Sequence, residues 1–194
     1  MTVRSIGDFT PYPYTCKETV ELRRYVVEKG SLATPSGRSP YTIVRMKPFS
    51  CVLPVVNAGT SDARLLLVRQ YRYAVDEWQL ELPAGGVEPG EMPRVAAERE
   101  LREESGLQIE ALKELGYTYP SAGSTSEKAY LFAARCAQET VSRDLDMGEQ
   151  IESVLVSRAE MEELLCSDVF AHSVTYAVWV RFAASGLLDS WMPR

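Results

Sequence analysis

Between Gly85 and Leu107 the chain sets glycines, acids and arginines at fixed offsets: Gly85, five residues, Glu91, seven residues, then Arg99-Glu100-Leu101-Arg102-Glu103-Glu104-Ser105-Gly106-Leu107. At about 100° per residue, a helix turns Glu103 about 60° to one side of Glu100 and Glu104 about 40° to the other, so the three acids share one face. Like charges at these spacings destabilise a bare helix by a few tenths of a kcal/mol per pair, and something must offset the repulsion. Divalent cations, which take carboxylate oxygens, are the natural candidate. Arg99 and Arg102 offer the ordinary alternative of ion pairs along a solvated face. That alternative accounts for the helix but leaves the glycines at both ends of the segment unexplained.

The rest of the composition fits this reading. A chain of 194 residues with 45% hydrophobic content can bury a core and is expected to form one domain with appendages. Its net charge of −6 argues against general binding to nucleic acid phosphates. The opening Met1-Thr2-Val3-Arg4-Ser5-Ile6-Gly7-Asp8 lacks the apolar stretch of a secretion signal, and no apolar run is long enough to span a membrane, so a cytoplasmic protein is expected. Cys16, Cys51, Cys136 and Cys166 form no Cys-x-x-Cys pair and read as buried thiols. His172, the sole histidine, reads as a surface or helix-start residue.

Strands are predicted from Val20 to Glu28, Tyr41 to Lys47 and Ser50 to Asn57, with a hairpin turn at Pro35-Ser36-Gly37. The apolar run Leu65-Leu66-Leu67-Val68 predicts a strand covered on both faces. A strand from Gln79 to Leu82 follows, broken by Pro83-Ala84-Gly85-Gly86. Pro93 opens a helix that Gly106 closes. Further strands are predicted from Leu112 to Tyr119, Ala129 to Arg135 and Ile151 to Val156. Ser157 with Glu160 forms a capping box, and a last helix runs from Val174 to Ala184. The pattern is a mixed α/β sandwich.

Every fixed position of the segment from Gly85 to Leu107 matches the Nudix box, and the chain is identified as resembling the Nudix hydrolases. Gln70-Tyr71-Arg72, Glu81-Leu82-Pro83-Ala84-Gly85 and the downstream Tyr119-Pro120-Ser121-Ala122-Gly123 resemble the ADP-ribose pyrophosphatase branch. The resemblance implies a Nudix-type α/β/α sandwich with a mixed sheet and an N-terminal antiparallel strand extension. On that reading, residues 1–48 are the extension, which forms a homodimer, and residues 49–194 are the hydrolase domain.

The same resemblance assigns roles. Glu100 and Glu104 become the leading metal ligands, Glu103 a further ligand or catalytic partner, and the Ala84 carbonyl completes one coordination sphere. Arg99 orients the acids. A glutamate on a loop after the box activates the attacking water, and Glu149 is the choice here, with Glu152 and Asp146 as alternatives. Arg72 grips substrate phosphate or ribose oxygens. Apart from the resemblance, an adenine base needs a flat apolar clamp, for which Tyr25 and Tyr41 on the N-terminal strands are the candidates.

The implied activity is Mg²⁺-dependent hydrolysis of ADP-ribose or a related nucleoside diphosphate sugar, with Mn²⁺ as a substitute, giving a nucleoside monophosphate and a sugar phosphate. GDP-mannose or a dinucleoside polyphosphate would suit the same chemistry. The rival is a non-catalytic sensor that binds a nucleotide sugar, and the complete box argues against it. No nucleic acid or membrane partner is expected.

Overall fold

The computed structural model describes residues 10–140, 151–167 and 172–194, the side chains of residues 138–140 aside. The chain divides into two compact units, Met1–Lys47 with Ser121–Ser126, and Pro48–Pro120 with Glu127–Arg194.

The first unit is a three-stranded antiparallel sheet, β1 (Tyr14–Glu21), β2 (Tyr25–Thr34) and β3 (Gly37–Met46). The expected strand from Val20 to Glu28 is instead the corner between β1 and β2. Leu22 and Tyr25 exchange backbone hydrogen bonds there, at 2.8 and 3.3 Å, around Arg23 and Arg24. With no glycine, proline or asparagine at that corner, the sequence carries no turn signal. The turn at Pro35 and Ser36 lies where expected. Cys16 is exposed on β1 and Cys166 is exposed as well, so only Cys51 and Cys136 are the buried thiols expected. Nearly every residue of β1 faces solvent, and a thiol there has no core to enter.

The second unit is built on a seven-stranded mixed sheet. Its central path runs β10 (Ile151–Val156), β5 (Arg64–Arg72), β4 (Phe49–Val56), β9 (Ala129–Thr140), β8 (Leu107–Thr118), with β6 (Glu77–Glu81) on β5 and β7 (Ala84–Gly86) on β4. The β4–β9 pair is parallel and the others are antiparallel. β5 and β6 make a hairpin whose corner includes Asp76 at φ 59°. β8 starts at Leu107, directly behind the helix cap, well before the expected Leu112.

Successive residues of a strand face opposite sides, so Leu65 and Leu67 enter one core and Leu66 and Val68 the other. On the first face, α2 (Arg158–Leu164), α3 (Ser173–Ala184) and α4 (Leu187–Trp191) supply Met161, Val178, Phe182 and Leu188. On the second, α1 (Pro93–Ser105) supplies Ala97 and Leu101 against Val52, Phe132 and Ala134. The result is the α/β/α layering expected. Among the described residues, no helix is long and apolar enough to cross a membrane.

Strand β4 changes partner along one edge. Phe49, Ser50 and Cys51 pair with β7, the Val52 N–H donates to the Pro83 carbonyl at 2.9 Å, and Val55 and Val56 pair with β5. Leu53 and Pro54 lie between the two registers. Donors on a strand alternate sides, so residue 54 would donate toward the same edge as Val52, and proline has no N–H to leave unpaired.

Candidate active site

Helix α1 is set by its ends. Pro93 occupies the first turn, where a missing N–H costs nothing, and Met92 before it is extended at φ −79°. Gly106 closes the helix at φ 72°, a left-handed conformation suited to glycine, and its N–H donates to Arg102 O at 2.8 Å. Ala96, Ala97 and Leu101 are buried, which fixes the rotation of the helix and turns the acids toward β7.

Glu104 is only 6% exposed, and its Oε2 accepts from the Ala84 N–H at 3.3 Å. Ala84 and Glu104 are thereby brought together. Gly85 lies so close to Glu100 that a Cβ there would overlap the Glu100 carboxyl. Arg99 gathers the remaining acids. Its Nε and Nη2 donate to the two oxygens of Glu91 at 3.0 and 3.1 Å, and Nη2 also donates to Gly86 O at 2.9 Å. Its Nη1 donates to Glu100 at 2.6 Å and Glu103 at 3.1 Å. The bonds from Arg99 hold the Glu91 carboxyl below its usual range, and the acids in turn raise Arg99.

Among the described residues, no three acidic, histidine or cysteine side chains converge closely enough to enclose a cation. Arginine and a backbone N–H hold the carboxylates in this arrangement. A cation recruiting Glu100 and Glu103 therefore competes with Arg99 Nη1 for both. The donor set nonetheless fits a hard divalent ion, because it consists of carboxylate oxygens on one helix face beside a backbone turn that only glycine permits at residue 85.

A second charged cluster adjoins the first. Arg72 reaches across the β5–β6 pair to Glu81, Nε to Oε1 at 2.8 Å and Nη2 to Oε2 at 2.5 Å. Glu81 is 2% exposed and the Arg72 side chain 42% exposed. The Nε2 of His172 stands 3.7 Å from Glu81 Oε2. His172 does start a helix, as expected, but its ring is turned inward. Glu104 and Glu81 both add to the burial that pushes the Cys51 thiol up, which ties the two clusters to the same stretch of β4. Sequence reasoning gave Glu81 no role. The signal was an acid flanked by Leu80 and Leu82 inside a buried strand, where a charge survives only with a partner.

Of the other residues singled out, Glu152 lies on β10, opposite Arg69 in register, and is paired with it at 3.3 Å. Glu149 and Asp146 lie outside the described residues. Tyr41, in the first unit, donates its hydroxyl to Gly123 O at 2.8 Å, and Tyr25 is 40% exposed.

Comparison with known proteins agrees with this architecture. The NUDIX domain family matches residues 48–176. The chain is similar to the ADP-ribose pyrophosphatase of Bacillus subtilis strain 168, with 31% identity over 125 residues, 63% of this chain and 68% of that protein. It is similar to the ADP-ribose pyrophosphatase of Haemophilus influenzae, with 29% identity over 150 residues, 71% of this chain and 69% of that one. A crystal structure of an ADP compounds hydrolase shares the fold at a TM-score of 0.72 and 24% identity, covering 94% of this chain and 97% of that one. The chain belongs to the Nudix family, in its ADP-ribose pyrophosphatase-like branch, and is a Nudix pyrophosphohydrolase.

Proposed function

We propose that the protein hydrolyses the pyrophosphate bond of ADP-ribose or a related nucleoside diphosphate sugar, with Mg²⁺ as its cofactor, releasing a nucleoside monophosphate and a sugar phosphate. The observation that carries this reading is the buried face of α1, where Glu104 meets Ala84 and Glu100 fills the space that Gly85 leaves. The two ADP-ribose pyrophosphatases to which the chain is similar support the substrate class.

Glu100, Glu104 and the Ala84 carbonyl would hold the metal, with Glu103 as a further ligand or catalytic partner. When bound, a divalent cation neutralises phosphate charge and lowers the pKa of water. Arg99 fixes the orientation of the acids through Glu91 and the Gly86 carbonyl. Arg72, held by Glu81, presents its guanidinium to the diphosphate or terminal ribose. Glu149 is the proposed base for the attacking water.

The first unit belongs to the same proposal as a homodimer-forming extension. Its sheet leaves Val20, Leu22, Tyr25 and Tyr41 exposed, and a three-stranded sheet needs an apolar surface to cover it. Light scattering on the eluting protein is expected to give twice the chain mass. A cytoplasmic location completes the reading, since four free cysteines suit a reducing compartment.

The test is a panel of nucleoside diphosphate derivatives incubated with Mg²⁺ in oxygen-18 water and read by mass spectrometry. ADP-ribose should yield AMP and ribose 5-phosphate, one of them labelled, and chelation of the metal should stop the reaction. Tight binding of ADP-ribose with no product would overturn hydrolysis in favour of a sensor.

A further inference from the structure

The acids of α1 are accounted for by the proposed metal chemistry, but the buried Glu81 and the sole histidine beside it are not. A carboxylate withdrawn from water costs several kcal/mol unless partners compensate. Arg72 is one partner, bound through two nitrogens. The His172 ring is the other, with Nε2 at 3.7 Å, an electrostatic contact longer than a hydrogen bond.

The ring's orientation follows from its opposite edge. Nδ1 lies 2.9 Å from Thr175 Oγ1, and the same hydroxyl lies 3.4 Å from the Leu82 backbone N–H. A backbone N–H can only donate, so Thr175 Oγ1 accepts from Leu82, and its second lone pair and its own proton leave it able to accept from or donate to Nδ1. The Glu81 carboxylate at the opposite edge favours the tautomer with the ring proton on Nε2, because an acceptor facing a carboxylate would be repelled. Thr175 is fully buried, so water does not compete for this arrangement. One hydroxyl thus registers the start of α3 against the end of β6.

We propose that His172 is a positioning residue for Arg72: an imidazole, oriented by Thr175, that holds the Glu81 carboxylate in the place from which Glu81 aims the guanidinium at substrate. This rests on the reading of Arg72 as a substrate-binding residue. Among the described residues, the charged groups acting on the ring are Glu81 from β6 and Arg72 from β5, and Thr175 on α3 is uncharged. Burial lowers the His172 pKa, Glu81 pulls against it, and Arg72 lowers it further.

The test compares KM and kcat for ADP-ribose with Mg²⁺ in Arg72→Ala, His172→Leu, His172→Gln and the double variant Arg72→Ala with His172→Leu. His172→Leu is expected to raise KM by about fivefold with kcat within about twofold. His172→Gln, which keeps an N–H near the position of Nε2, should restore KM. In the Arg72→Ala background, His172→Leu should add nothing, because the two act through one carboxylate. If Arg72→Ala raises KM while a folded His172→Leu leaves it unchanged, the positioning role is overturned and the Arg72 reading stands. If Arg72→Ala leaves KM unchanged, the Arg72 reading itself falls.

A second measurement needs no substrate and no foldable leucine variant. The chain has one histidine, so its NMR titration is unambiguous. Arg72→Ala should raise the imidazole pKa and Glu81→Gln should lower it. A titration unmoved by both would show that the ring is not coupled to the pair, and the proposal would fail.

Discussion

Gly85 lies directly against the carboxyl of Glu100, in the space that any larger residue's Cβ would occupy. The neighbouring Gly86 has open space around the same position. Two adjacent glycines therefore carry different burdens. Gly85→Ala should displace Glu100 and lower turnover by at least tenfold, with a measurable fall in Tm, whereas Gly86→Ala should change turnover far less. Equal effects of the two in a steady-state assay would contradict the packing described for Glu100.

Glu104→Gln keeps the shape of the side chain and an oxygen able to accept from the Ala84 N–H. It removes the charge that a divalent cation requires. Turnover should fall by about 10²-fold or more while the circular dichroism spectrum and Tm stay close to those of the parent. Near-normal turnover would remove Glu104 from the proposed ligand set.

Arg99 is 27% exposed on its side chain and bonded to three acids and a carbonyl. Arg99→Met leaves Glu91, Glu100 and Glu103 crowded together without their shared cation. Because water still reaches the group, the expected loss is about 2–3 kcal/mol, below the range for a fully buried pair. Added Mg²⁺ should recover part of it, since the cation and Arg99 serve the same acids. Urea denaturation with and without the metal measures both quantities.

His172 sets a stability trend with pH. Its folded pKa lies below the ordinary value of about 6.5, mainly through burial, so the unfolded chain takes up a proton first as pH falls. The contribution is fully present above about pH 6.5 and is lost progressively below it, down to the folded pKa, by up to about 1.4 kcal/mol per pH unit. In His172→Gln that share of the slope should vanish. Thermal melts of both proteins from pH 7.5 to 5.5 would reveal it, and parallel slopes would refute the assignment.

Leu101 is fully buried among Val52, Phe132 and Ala134, and it fixes how α1 is rotated. Leu101→Ala should cost about 2–5 kcal/mol and also reduce turnover in the folded fraction, because the acids share the helix with it. A destabilised variant with unchanged turnover per folded molecule would separate packing from catalysis.

Helix α1 was legible in the sequence to the residue, because proline and glycine punctuate it and its apolar positions follow one period. The apolar run of β5 was legible as doubly covered for the same local reason. The corner at Arg23 and Arg24 was not, since two arginines carry no conformational preference for a turn. Arg72 stood out upstream of the box, but its partner Glu81 did not, because the β5–β6 register sets Arg72 opposite Glu77 and the long guanidinium side chain reaches past that partner. His172 was still less visible. Its contact with Glu81 requires α3 to pack against the sheet, a relationship between segments far apart in the chain, and no local pattern encodes it.

The gap at Pro54 bears on how the glycine turn is placed. A proline adds no donor to the ladder, and where it stands β5 leaves β4 for β6 while Ala84, Gly85 and Gly86 take up the edge of β4 beyond. An absent hydrogen thus marks where one neighbour must yield to another. From Val68 onward β5 turns to β6 instead, and the glycine turn keeps its seat on β4 next to a position where no donor stands unpaired.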